Sequence, residues 1–298
     1  MSIGSQLGGG YKLLVDSVKV LFKEPIFLVP IFFSWILVSA IILYVRYYLP
    51  EGMIFITIFG FIFLMTMIIS LANIVMLEFM EQIETGKKIS FSKAIKEAVF
   101  LDLLRVIPVA LIWAIVWFIL LVIRVLTSKK KERISRPEPS MQDAAMALGG
   151  DKPFSWWGLG LDLIEKVVRM FIFLSLPAIA WENKGPFSAF KKAFQIVRKH
   201  PLQFLTTYTL TGVVALIMGV PLVIIFSLAH GGVSFPPVFW TIVIIYISII
   251  WTLGIYLEQM SVGLLYLWHL KWVKNGGKGD LSSVEKPDLL DDIHELKA

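Results

Sequence analysis

Residues 26–45 read IFLVPIFFSWILVSAIILYV, twenty positions without one charge. Four more stretches look like it: 53–77, 106–123, 202–229 and 238–257. A helix needs roughly 20 apolar residues to cross a hydrocarbon core about 30 Å thick. The five stretches therefore predict an all-α integral membrane fold. Composition agrees: 57% of residues are hydrophobic and the mean hydropathy is +0.78, above the balance of a soluble domain. A large separate soluble domain is excluded, because too few polar residues remain to build one.

A sixth stretch, 161–181, is weaker, since its uncharged part, Met170–Trp181, has only twelve residues and contains Pro177. Charge bias decides whether it crosses, because cytoplasmic loops carry the excess of Lys and Arg. Six crossings with both termini cytoplasmic leave Arg46, Lys129, Lys130, Lys131, Arg133, Arg136 and Lys152 outside. The larger basic groups at 12–23, 87–105, 184–199 and 271–297 then fall inside. Five crossings always put one of those groups outside. The expected location is the plasma (inner) membrane of a prokaryote. The first apolar run is long and lacks a cleavage site after it, so it reads as a retained anchor.

Six crossings put the extramembrane loop 127–160 outside with a basic cluster. Either this loop breaks a statistical rule, or Lys129–Arg136 grips anionic head groups or another polyanion, or a re-entrant segment keeps the loop inside.

An internal repeat organises the chain. Tyr11–Glu24, Phe91–Arg105 and Phe187–His200 are each amphipathic and each precede a proline and a span. In the third, Phe187, Phe190, Phe194 and Val197 recur at helical spacing opposite Lys191, Lys192, Arg198 and Lys199. Helices of this kind lie in the membrane interface with basic residues at the head groups. The expected unit is a cytoplasmic-side interfacial helix followed by a two-helix hairpin, used three times: about 11–80, 90–182 and 187–270. The hairpins exit alike, at Leu77-Glu78-Phe79-Met80, Trp181-Glu182 and Leu257-Glu258-Gln259-Met260. One polytopic domain over 1–277 and an acidic cytoplasmic tail over 278–298 complete the reading. Leu289, Ile293 and Leu296 stripe that tail, which either docks on the basic helices or stays exposed.

The stretch LPAIAWENKGPFSAFKKAFQIVRKHPLQFLTTY (176–208) and the opening SVKVLFKEPIFLVPIFFSW (17–35) carry a resemblance. They resemble uncharacterised prokaryotic multi-helix membrane families, the YciC-like proteins and the membrane domain of some glycerophosphodiester phosphodiesterases. The shared signs are Glu182, the Gly185-Pro186 turn and the Ala-rich basic helix Ala189–Lys199. The resemblance implies a fold and an inner-membrane location, and no activity.

Among intramembrane or interfacial charges, Glu78, Glu182 and Glu258 are placed at the cytoplasmic ends of the even spans. They pair with Lys or Arg of the next interfacial helix, or form a ring of carboxylates at a pore. Asp162, Glu165, Lys166 and Arg169 share one helix face, with Asp162–Lys166 and Glu165–Arg169 as i,i+4 pairs. That face is either wet and outside the membrane or lines a polar cavity within it. Gly212, Ala215 and Gly219 read as a helix-packing stripe. Pro30, Pro108, Pro177 and Pro221 predict bent helices. Tyr44, Tyr47, Tyr48, Trp156, Trp157, Trp181, Trp240, Tyr266, Trp268 and Trp272 read as an interfacial aromatic belt.

Catalytic chemistry has little support. There is no cysteine, the four histidines show no ligand spacing, and the glycine runs 8–10, 231–232 and 276–277 lack phosphate-loop context. No enzyme activity, cofactor or metal is expected. Two functions remain: a non-enzymatic protein that organises anionic membrane lipids through basic interfacial helices, or a channel or transporter with a path between repeated hairpins. The expected partners are membrane lipids and, as a further option, a homo-oligomer; nucleic acid is not expected.

Overall fold

A computed structural model describes residues 3–48, 54–84, 87–129, 156–279, Leu281 and Val284. The described residues form helices joined by short turns, without strands. In chain order the helices are α1 Ile3–Lys23, α2 Leu28–Tyr48, α3 Ile54–Glu84, α4 Phe91–Lys96 and α5 Leu103–Lys129. They continue with α6 Trp156–Ala180, α7 Pro186–Lys199, α8 Pro201–His230 and α9 Pro237–Lys274. Five helical segments are long and apolar enough to cross a membrane: Pro25–Val45, Phe55–Gln82, Phe91–Leu126, Pro201–His230 and Pro237–Lys274. Their outward faces are apolar and bare, as with Leu216, Val223, Ile242 and Ile244. A surface this apolar belongs in hydrocarbon rather than in water.

Proline decides where the short helices stop. Residues that precede proline are pushed out of the α region. Glu24, before Pro25, has φ −134° and ψ 74°, and His200, before Pro201, has φ −129° and ψ 52°. The chain therefore breaks after α1 and after α7. The middle case differs from expectation. No proline follows Asp102 until Pro108, so α4 runs through a π-helical stretch, Glu97–Asp102, straight into α5. Pro108 lies inside α5 instead of marking its start.

Helices α3, α6 and α9 pack together as inner elements, with α3–α9 the looser contact. The others surround them in a cyclic order. Helix α2 lies against α3 and α9, α5 lies against α3 and α6, and α8 lies against α9. The short helices follow the same rotation: α4 and its π stretch pack on α3, α7 on α6, and α1 on α8 and α9. The core is concentrated at one end of the bundle, around Ile74–Met80, Met170–Ile179 and Tyr256–Trp268.

Two expectations need correction here. Helix α9 does not end near residue 257; it continues to Lys274, about 57 Å of helix against a hydrocarbon core about 30 Å thick. Its last turns bury Tyr266, Trp268 and Trp272, which are core residues and not belt residues. Tyr44, Tyr47 and Tyr48 do stay exposed.

Candidate functional site

Helix α6 carries the charges that set it apart from the other long helices. The sequence spacing predicted pairs within α6, and the structure distributes them to three neighbours instead. Glu165 accepts from Arg124 on α5 at 2.7 Å. Arg169 makes a two-pronged ion pair with Glu258 on α9, Nε to Oε2 and Nη2 to Oε1, both at 2.8 Å. Lys166 donates to the Tyr208 carbonyl on α8 at 3.0 Å and its ammonium stands 4.7 Å from the Tyr208 ring centre. The Asp162 side chain lies outside the described residues.

Glu165 and Arg169 thus bond to other helices rather than to each other. Arg124 and Glu258 are buried, at 8% and 5% exposure, and Arg169 keeps 27% of its side chain exposed. Two-pronged guanidinium–carboxylate pairs are among the strongest polar contacts, and in a low-dielectric setting a broken one is costly.

Beside this pair, α6 has a repaired defect. Pro177 has no N–H, so the Phe173 carbonyl four residues earlier loses its helical donor. Gln259 Nε2, from α9, donates to that carbonyl at 3.2 Å. Gln259 is fully buried. One turn of α9 thus supplies both the carboxylate for Arg169 and the amide for Phe173.

Gly212 belongs to the same place. A Cβ there would fall 2.5 Å from the Lys166 ammonium, while Gly219 faces open space. Within the chain, Gly212 leaves room for a lysine and Gly219 meets no neighbouring helix. The close helix approach is elsewhere. Gly10 of α1 abuts α8, where a Cβ would meet the Thr206 Cβ at 2.5 Å.

The three glutamates do not form one ring. Glu258 is held by Arg169. Glu182, in the α6–α7 turn, is bonded by Lys184 and by the Tyr266 hydroxyl, with Lys192 of α7 at 3.8 Å. Burial works against its charge, but Lys184, Tyr266 and Lys192 outweigh burial and hold this carboxyl below its usual range. Glu78 faces Glu97, with Glu81 and Asp102 nearby. Pairing with the next interfacial helix therefore holds for Glu182 alone. Two histidines far apart in sequence also meet: His200 Nε2 and His269 Nδ1 are 3.0 Å apart, both buried, with the Trp272 ring against each.

The short helices have three faces, not two. In α7, Ala189, Ala193 and Ile196 are buried against the bundle, and Phe190 stacks on Phe171. Phe187 and Phe194 point outward, beside exposed Lys191, Arg198 and Lys199. In α1, Leu13, Ser17 and Val20 are buried, while Phe22 is exposed between exposed Lys19 and Lys23. In the α4–π segment, Ala94 and Ala98 are buried, while Phe100 and Leu101 are exposed beyond Lys96.

Lys130, Lys131, Arg133 and Arg136 lie outside the described residues, as does the side chain of Lys129 at the end of α5. So does the tail beyond Val284. Its start folds back: Leu281 is buried and the Trp268 indole donates to the Val284 carbonyl. Among the described residues no cluster of His, Cys, Asp or Glu could hold a metal. No protein-family model, no curated protein and no solved structure matches the chain, so the resemblance to the YciC-like group rests on residue pattern alone.

Proposed function

We propose that this is a non-enzymatic membrane protein that gathers anionic lipids around its cytoplasmic rim, in a prokaryotic inner membrane. The observation that carries the reading is the repeated outward face of α1, α4 and α7. Each buries a small or aliphatic face on the bundle and turns phenylalanine and lysine away from it. Phenylalanine enters the acyl boundary and the adjacent ammonium or guanidinium meets head-group phosphate. Six crossings in three hairpins accord with this. Helix α6 has 25 residues, about 37 Å of helix, and its Glu165, Lys166 and Arg169 each have a partner on another helix of the bundle.

The test is lipid selectivity of the full-length protein in mixed phosphatidylglycerol–phosphatidylcholine membranes, read by spin-labelled lipids. Replacing Lys191, Arg198 and Lys199 with Gln should lower the preference for phosphatidylglycerol. The remaining preference should fall with added salt, because exposed charges are screened over about 10 Å at 0.1 M. An unchanged preference in the triple variant sinks the reading.

One observation favours the second reading, a channel or transporter: a charged pair, Arg169–Glu258, joins two inner helices. Intramembrane ion pairs are common on solute paths. Ion flux through liposomes holding wild-type protein or the Arg169→Gln/Glu258→Gln double variant decides it. Equal leak in both removes transport as a role for this pair.

A further inference from the structure

We propose that the His200–His269 contact is an acid-operated latch. It holds the α7–α8 junction on the last turns of α9 while neutral and frees it when protonated. This goes beyond the lipid rim and does not depend on it.

The latch sits at a break in the chain. His200 precedes Pro201 and leaves the α region, with φ −129° and ψ 52°. Backbone bonds bridge the break, from the His200 N–H to the Ile196 carbonyl at 2.8 Å and from the Phe204 N–H to the His200 carbonyl at 3.1 Å. The His200 side chain crosses to α9, where its Nε2 lies 3.0 Å from His269 Nδ1. Trp272 closes over the pair. Its ring stands edge-on to His200 and stacks on His269, with centroids 5.1 and 5.7 Å away. All three side chains are buried. His269 lies about 18 Å of helix past residue 257, beyond the uncharged stretch 238–257 and outside the hydrocarbon.

The contact depends on how many protons the pair carries. A hydrogen bond between two imidazoles needs one N–H and one bare nitrogen. With both rings protonated, N–H faces N–H and the bond is lost. One extra proton already leaves a cation in a buried site. Lys192 and Lys199 of α7 act against that cation, and Glu182 of the α6–α7 turn acts for it. Glu182 is itself already bonded by Lys184 and by the Tyr266 hydroxyl. On α9, Lys271 and Lys274 follow. Helices α1 and α8 bring uncharged groups to this end, Gly9 and Gln203 beside Trp268. Burial first, then His200 and the two lysines, push the His269 imidazole down to about 3.

When the junction opens, water reaches the His269 ring and it titrates near its ordinary 6.5. The imidazole therefore favours the closed junction fully above about 6.5. That contribution is lost progressively as pH falls from there toward about 3. At about pH 5 a single histidine raises the opened fraction about thirtyfold over its neutral-pH value.

Hydrogen exchange of the full-length protein in mixed micelles reads the opening through the His200 and Phe204 amides. It is compared at about pH 7.5 and about pH 5, after correction for intrinsic exchange rates. In the wild type the opening constant at the junction should rise about thirtyfold at the lower pH. The His200→Gln/His269→Asn variant sets a side-chain amide in place of each bonded ring nitrogen. It keeps a hydrogen bond and removes both titrations, so the junction should open equally at both pH values. Glu182→Gln should retain the wild-type step, because that carboxyl is held below its ordinary value and titrates below the tested range. A wild-type junction whose opening ignores pH overturns the latch. So does an unchanged step in the double histidine variant, or loss of the step in Glu182→Gln. If the double variant does not fold, the wild type decides by itself. A step confined to the α7–α8 junction and the last turns of α9 supports the latch. An equal step across α2 and α3 overturns it, for then acid loosens the whole bundle.

Discussion

At the residue scale, Glu165, Lys166 and Arg169 of α6 are each matched across to another helix. Arg169→Gln leaves Glu258 buried without its cation and should cost about 3 kcal/mol. Adding Glu258→Gln should recover most of the loss. Reversible unfolding in mixed micelles gives the coupling, and additive effects would mean the pair does not interact. Gln259→Leu strands the Phe173 carbonyl and should cost about 1–3 kcal/mol. The same change in a Pro177→Ala background should cost less, because the alanine N–H restores the helical donor. Equal losses in both backgrounds would show that Gln259 serves something other than the proline gap. Gly10→Ala forces a methyl against Thr206 and should destabilise by about 1–3 kcal/mol, the ordinary cost of overpacking. A thermal midpoint equal to the wild type would place α1 farther from α8 than the structure has it.

At the element scale, the α6–α7 turn is tied to α9 through Glu182. Its carboxyl is depressed in the folded state below its ordinary value of 4.5. A depressed carboxyl contributes stability above its unfolded value, and the contribution is lost as pH falls through the folded one. Acidification below the ordinary carboxylate range should therefore loosen the turn. Glu182→Gln should flatten the acid limb of the stability–pH curve without changing its neutral plateau shape. An identical acid limb in the variant would remove Glu182 as the group responsible. The break between short helix and span follows a local rule as well. Where proline follows directly, at Pro25 and Pro201, the chain turns; where it does not, it bulges through a π stretch and carries on.

At the scale of the whole molecule, the short helices pack in a closed rotation, α4 on α3, α7 on α6, and α1 on α8 and α9. That arrangement gathers the core at one end of the bundle. The distribution of Lys and Arg predicts sidedness. The chain has no cysteine, so single cysteines report without background. An impermeant maleimide applied to intact cells should label Met141→Cys and leave Lys278→Cys untouched. Labelling of Lys278→Cys would reverse the orientation, and with it the side of the membrane assigned to α1, α4 and α7.

Runs of uncharged residues determined the long helices and their membrane character, because crossing hydrocarbon is a demand on composition that any window of the chain reveals. Proline spacing determined two of the three breaks, because its steric effect acts on the very next residue. The charged stripe of α6 was visible at i, i+3 and i+4, yet its partners were not. Arg124, Tyr208 and Glu258 lie 41 to 89 residues from the groups they meet. Nothing local distinguishes a glycine that packs a helix from one that houses an ammonium, or two remote histidines that touch from two that do not. Those outcomes depend on which helices become neighbours. The tertiary structure alone decided that, through the order in which the helices pack around α3, α6 and α9.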